Sequence, residues 1–159
     1  MARNVSVDSG PSRYSQNISI GPHVFQADEP PDVGGNDAGP NPYELLLAAL
    51  GACVSITVRM YAERKQWPLQ GVHVDVSCAR VHAKDSPQSD TKPAMIDRIE
   101  VGVSFRGGLS EVQQHRLLEI ANKCPVHRTL VSEVQICTKF IGKRDEIPES
   151  RNPSAPEQS

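Results

Sequence analysis

The chain has 159 residues and a formal net charge of −2, long enough for one domain with a core of its own and without any excess of basic charge. Its 17 Lys and Arg balance 19 Asp and Glu and only 4% of residues are aromatic, which argues against a nucleic-acid-binding face. The opening residues, MARNVSVDSGPSR, lack the apolar run of a secretory leader, so a reducing cytoplasmic setting is expected, with the four cysteines free or reactive rather than in structural disulfides.

Residues 1–12 are polar and read as a flexible segment, 13–143 as a single folded domain, and 144–159, rich in Pro, Ser and Glu, as a disordered tail. Within the domain, residues 14–21 (YSQNISIG) alternate weakly, and 23–27 continue after the turn pair Gly21-Pro22, which predicts a hairpin. Residues 28–40 (DEPPDVGGNDAGP) form a loop crowded with Gly, Pro and Asp. His23 and Asp28 flank its entry, and by residue type each is an ordinary turn or edge residue.

Residues 41–66 (NPYELLLAALGACVSITVRMYAERKQ) have helix grammar. Asn41 suits the N-cap, Pro42 the first helical position, and Glu44 completes an Asn-x-x-Glu capping box; Trp67-Pro68 is the stop. The first half is apolar or small on every face, which predicts a central helix buried all round. It is short and rich in small residues for a bilayer span, and a charged half follows at once, so no membrane partner is expected.

In residues 72–83 Val72, Val74 and Val76 alternate with His73, Asp75 and Ser77, and in 96–105 Ile99, Val101, Val103 and Phe105 share a face. The two runs predict a long antiparallel hairpin around a polar turn at 85–93. Ser110 opens a second helix with Gln113 at the box position, and Val112, Leu117, Leu118, Ile120 and Ala121 are its predicted apolar face. Pro125 ends that helix and permits a new helical turn from Cys124; residues 134–141 (VQICTKFI) read as a last strand. The order of elements is that of an α+β domain with antiparallel sheet.

Two cysteines differ in setting from the others. Cys53 lies mid-helix among small residues, and Cys124 precedes a proline in KCPVHRTL; Cys78 and Cys137 sit in strand patterns, where a buried hydrophobe is the ordinary use. With Pro125 as first helical residue, Cys124 is an N-cap, whose free amides and helix dipole favour a thiolate. Residue types leave other uses open. Cys124 and His127 have the spacing of half a zinc site, with no second half to complete it, and a Cys-His hydrolase lacks a placed carboxylate or amide to orient His127. Glu44 is a capping residue or a catalytic carboxylate; at about 100° per residue it falls on the helix face opposite Cys53.

The stretches GGNDAGPNPYELLLAALGAC, YAERKQWPLQGVHV and LLEIANKCPVHRTL together resemble the OsmC/Ohr family of thiol-dependent peroxidases, in its general OsmC-like branch, from about Tyr14 to Phe140. The resemblance implies an OsmC-like fold with antiparallel sheets wrapped around a long buried central helix, in an intertwined homodimer with active sites at the subunit boundary. It implies that Cys53 is the peroxidatic cysteine and Cys124 the resolving one, in a sulfenate and disulfide cycle that reduces hydroperoxides in oxidative-stress defence. An external thiol is the reductant, and no cofactor or metal takes part. An arginine from the N-terminal hairpin assists in the family, and Arg13 is the candidate here. A glutamate after the Asn-Pro assists too, but Tyr43 stands at that position and Glu44 is one step displaced. Tyr43, about 80° around the helix from Cys53, is a candidate pocket residue or hydrogen-bond donor to a peroxide oxygen. His23, Leu50, His127 and Arg128 are the candidate substrate contacts, and apolar walls suit organic hydroperoxides. The departure at Tyr43 motivates an alternative: a small-molecule binding or stress protein of the same fold with little turnover.

Overall fold

A computed structural model describes residues 4–82 and 95–142. The predicted polar turn at 85–93 and the predicted tail at 144–159 lie outside the described residues. The chain forms two compact units, one from residues 1–42 and 136–159, the other from residues 43–135.

The first unit carries a three-stranded antiparallel sheet in the order β1 (Val5–Ser9), β2 (Gln16–Ile20), β3 (His23–Ala27). The β2–β3 hairpin turns at Gly21, whose φ of 58° is the left-handed conformation that glycine adopts without a Cβ clash. β1 corrects the expectation of a loose segment over residues 1–12. Its two valines alone are a weak signal, but Val7 pairs with Ile18 and Val5 with Ile20, so the partner strand supplies the order. Ile18 and Ala27 are buried, whereas Val5, Val7 and Phe25 on the same face are exposed.

After β3 the chain enters a loop organised by Asp28. Its side chain is buried, and its carboxylate accepts from the backbone amides of Glu29 (2.9 Å), Asn36 (3.0 Å) and Ala38 (3.4 Å). The carboxylate thus replaces a missing backbone ladder over a Pro- and Gly-rich turn. Gly35 is required here because a Cβ would run into the carbonyl of Glu29.

In the second unit α1 (Pro42–Arg64) starts at the predicted proline. Its end is a Schellman motif. Gln66 takes a left-handed φ of 55°, the Trp67 amide donates to the Ala62 carbonyl at 2.9 Å, and the Gln66 amide to Glu63 at 3.0 Å. Trp67 then folds back edge-on to Tyr61, ring centroids 5.6 Å apart. The helix is thus stopped by a left-handed residue one step before Trp67-Pro68.

The helix is not buried all round. Leu50, Val54, Val58 and Ala62, spaced by four, form one buried stripe, while Leu46, Ile56 and Met60 are exposed; 22% of its most apolar window is covered. By length and composition α1 is apolar enough to cross a bilayer. Within the chain, its stripe meets the long hairpin of β4 (Leu69–His82) and β5 (Met95–Gly107) and the helix α2 (Glu111–Ala121). The predicted antiparallel hairpin forms, and its register sets Val72 opposite Phe105, Val74 opposite Val103, Val76 opposite Val101 and Cys78 opposite Ile99. Gly51 lets α1 come close to it, since a Cβ there would sit 3.3 Å from the Val76 side chain.

α2 has the predicted box, with the Ser110 hydroxyl accepting from the Gln113 amide and the Gln113 side chain accepting from the Ser110 amide. Its inward face is Leu117, Ile120 and Ala121, and Val112 and Leu118 of the predicted face are exposed. The short helix α3 (Pro125–Leu130) follows directly. Residues 134–141 form no strand: Ile136, Phe140 and Ile141 are exposed, and no sheet among the described residues takes the segment up. Alternation is a property of the segment, but a strand needs a neighbour for its hydrogen bonds.

Burial pushes the Asp28 carboxyl up, but the three amide donors outweigh it and hold the group below its ordinary value of 3.8. The folded carboxyl therefore stabilises the loop above that pH, and this stability is lost as pH falls through the lower, folded value. The amides of Asn36 and Ala38 are expected to be protected from hydrogen exchange at neutral pH and exposed in Asp28→Ala. Equal exchange in the two proteins would show that the loop is held by something else.

Candidate functional site

The second unit brings both singled-out cysteines together. α1 presents Cys53 one turn after Leu50, on the side of the buried stripe, and the turn between α2 and α3 delivers Cys124 to the same apolar cluster. Cys124 has 0% exposure, while Cys53 is half-buried. Leu50, Val54, Val58, Leu117 and Ala121 pack with them, and Val126 closes over from α3.

Local chemistry explains the position of Cys124. The helix pair cannot run through Pro125, which has no amide to give and crowds the preceding residue out of helical geometry. Cys124 accordingly has φ −63° and ψ 142°, and its sulfur accepts from the His127 amide at 3.2 Å as the N-cap of α3. The Val126 amide also points to it. The capping role expected from the sequence is therefore present, but its expected electrostatic consequence is not. Burial pushes the thiol above its ordinary value of 9.0, the His127 amide works against this, and the neighbouring Cys53 side chain raises it further. A six-residue helix offers too little dipole to outweigh complete burial. Cys124 is thus a neutral thiol at physiological pH, held against Cys53.

The other predicted residues fall into distinct places. Leu50 is buried in the cluster beside Cys53. His127 contributes its backbone amide to the Cys124 sulfur, with a half-buried imidazole, and Arg128 is exposed with its amide donating to the Cys124 carbonyl at 3.1 Å. Tyr43 is exposed at the start of α1. Glu44 lines an open groove of about 470 Å³ between α1 and β4, with Ala48, Gly51, Ser55, His73 and Val76. Arg13 and His23 belong to the first unit: the Arg13 guanidinium stacks over Tyr14, 4.9 Å from its centroid, and His23 is exposed at the end of the β2–β3 ladder. No group of three or more His, Cys, Asp or Glu among the described residues has metal-site geometry.

A tie between the two long helices escaped the sequence reading. Arg116 on α2 donates to the Tyr61 hydroxyl on α1 at 3.2 Å and also pairs with Glu119. The Arg116 hydrogen bond lowers the Tyr61 phenol below its ordinary value, against a smaller effect of burial, with Lys65 and Lys123 helping. The tie holds α2, and with it the turn that carries Cys124, against the helix that carries Cys53. Nothing in the spacing of Tyr61 and Arg116, 55 residues apart, announces it.

A protein-family model described as OsmC-like protein matches residues 34–139. Among solved structures, the chain is similar to an OsmC-like protein from Mycoplasma pneumoniae, with TM-score 0.64 and 18% identity, covering 82% of this chain and 87% of that one. It is also similar to an organic hydroperoxide resistance protein OsmC from Legionella pneumophila, with TM-score 0.61 and 16% identity over 82% and 90% of the two chains. A third likeness is to the organic hydroperoxide resistance protein OhrB of Bacillus subtilis, with TM-score 0.56 and 15% identity over 82% and 91%. At these identities the likeness establishes an α+β fold with antiparallel sheets shared with such proteins. A comparison with curated proteins found no match.

The neutral Cys124 carries a pH signature. Since its folded value lies above 9.0, the folded state keeps a proton that the unfolded chain releases. Stability from this source is present below pH 9.0 and is lost as pH rises through the folded value. Urea midpoints measured from about pH 8 to pH 10 are expected to fall more steeply for the native chain than for Cys124→Ser, which has no group titrating there. Parallel slopes would contradict the burial of a neutral thiol.

Proposed function

Because the chain belongs to the OsmC-like protein family, we propose that it is a thiol-dependent peroxidase that reduces organic hydroperoxides with Cys53 and Cys124. The observation that carries this reading is the adjacency of the two sulfurs in one apolar cluster, one half-exposed and one fully buried. The Cys53 thiolate attacks the distal oxygen of the hydroperoxide and the O–O bond breaks. The alkoxide leaves, taking up a proton as the alcohol, and Cys53 becomes a sulfenic acid. Cys124 then attacks the oxidised sulfur, the S–O bond breaks, its own proton leaves with the hydroxide as water, and a disulfide remains. A small dithiol or thiol protein returns two electrons and two protons to restore both thiols. The cluster walls of Leu50 and Val54 favour alkyl over hydrogen peroxide as substrate. The reducing cytoplasm is the setting in which such a reductant is at hand.

One observation favours a second reading, a binding or stress protein of the same fold. Tyr43 stands where the resemblance implies a glutamate, and Glu44 lines the groove between α1 and β4. Both readings are separated by kinetics. The peroxidase reading expects hydroperoxide consumption at about 1 per second or faster with excess dithiol. It expects none in Cys53→Ser, and an arrest at the sulfenate, seen by mass, in Cys124→Ser. Consumption no faster than that by free cysteine, with saturable binding of an apolar ligand, selects the second reading.

We also propose that the working unit is a homodimer. Supporting this are the exposed Leu46, Ile56 and Met60 on α1, and the alternating residues 134–141 that no sheet among the described residues takes up. Light scattering is expected to give the mass of two chains at micromolar concentration, and Ile56→Asp is expected to shift it toward one. A monomer for the native chain overturns the proposal.

A further inference from the structure

The Cys124 sulfur has its hydrogen-bonding capacity unevenly filled. As N-cap it accepts from the His127 amide at 3.2 Å, and the Val126 amide also points to it, so its lone pairs face into the first turn of α3. A thiol has one donor, its S–H. At 0% exposure no water reaches that hydrogen, and Cys53 packs against the same buried cluster as the second sulfur of the site. The amides thus orient the thiol, with lone pairs toward the helix and the hydrogen toward the other sulfur.

We infer that Cys124 donates its S–H to the Cys53 sulfur and so stabilises the Cys53 thiolate, making the buried cysteine an activator of the nucleophile before it acts as its resolving partner. This rests on the proposed reading of Cys53 as the nucleophile and deepens it. The anion in an apolar cluster needs donors, because burial alone disfavours charge. A neutral thiol whose sulfur is held by backbone amides is such a donor. The two roles follow in sequence without conflict. While Cys53 is a thiolate, Cys124 keeps its proton and donates; once Cys53 is oxidised to the sulfenic acid, the acceptor charge is gone and the Cys124 proton is free to leave with the departing hydroxide as water.

The test needs no peroxide, so it can fail or succeed independently of the peroxidase reading. Iodoacetamide alkylation of Cys53 in the full chain at pH 7 is followed by peptide mass, which separates it from the exposed Cys137. Cys124→Ala, which removes the donor, is expected to lower the Cys53 rate about fivefold, the loss of thiolate being partly offset by the higher intrinsic reactivity of the remaining anion. Cys124→Ser, which restores a hydroxyl donor, is expected to recover most of that rate. Val126→Ala, which loosens the same cluster and leaves the donor in place, is expected to stay within about twofold. Native rates in both cysteine variants, an equal fall in Ala and Ser, or a fivefold fall in Val126→Ala each overturn the inference. Where Cys124→Ala does not fold, the Raman S–H stretch of the native chain decides. A Cys124 band shifted from the free-thiol position that returns in Cys53→Ala supports donation, and a band at the free-thiol position overturns it. Slow peroxide turnover together with the alkylation pattern expected here would leave the donation standing and remove only the peroxidase reading.

Discussion

The contact on which the second unit depends is the buried stripe of α1, Leu50, Val54, Val58 and Ala62. Residues four apart lie nearly above one another, so the stripe is one straight apolar ridge. The paired valines of β4 and β5 and the inner face of α2 close over it. Each fully buried Val or Leu removes side-chain area from water worth about 1.5–3 kcal/mol, as an upper estimate. The same ridge decides chemistry. Cys53 flanks it, and Cys124 is pressed onto it by the α2–α3 turn, so the packing that holds the unit together also sets the distance between the sulfurs.

Two opposing influences meet at Cys124. A helix N-terminus favours a sulfur anion, and complete burial opposes it. Burial prevails because α3 has six residues and because the amides already have the neutral sulfur as their acceptor. Cys53 stands half-buried at the edge of the same cluster, where a reagent can reach it. Two chemically identical side chains are therefore made unequal by position alone. This asymmetry, one sulfur open to a reagent and one shut away from solvent, is the feature on which the proposed two-cysteine cycle rests. Arg116 and Tyr61 support it from a distance by fixing α2 on α1.

Much of this was legible in the residues because it is local. Pro42 at the start of α1, the Ser110 and Gln113 box, Pro125 after Cys124 and the alternation of Val72 to Val76 each act within a few residues, and each element formed where expected. The misreadings were of a different kind. β1 was hidden because Val5 and Val7 become a strand only against Ile20 and Ile18. Residues 134–141 have the alternation of a strand but no neighbour in the described chain. Asp28 looked like a turn residue, and its three amide partners lie up to ten positions away.

The sequence by itself determined where the three helices begin, which faces of the long hairpin are apolar, and that Cys124 would cap a helical turn. These follow from φ restriction, period and capping, all carried by adjacent residues. Only the tertiary structure decided that Cys53 and Cys124, 71 positions apart, share one cluster, that α1 is covered on a single side, and that the capping thiol is neutral. Those outcomes depend on what surrounds a group in space, and solvent exclusion belongs to the assembled chain, not to any segment of it.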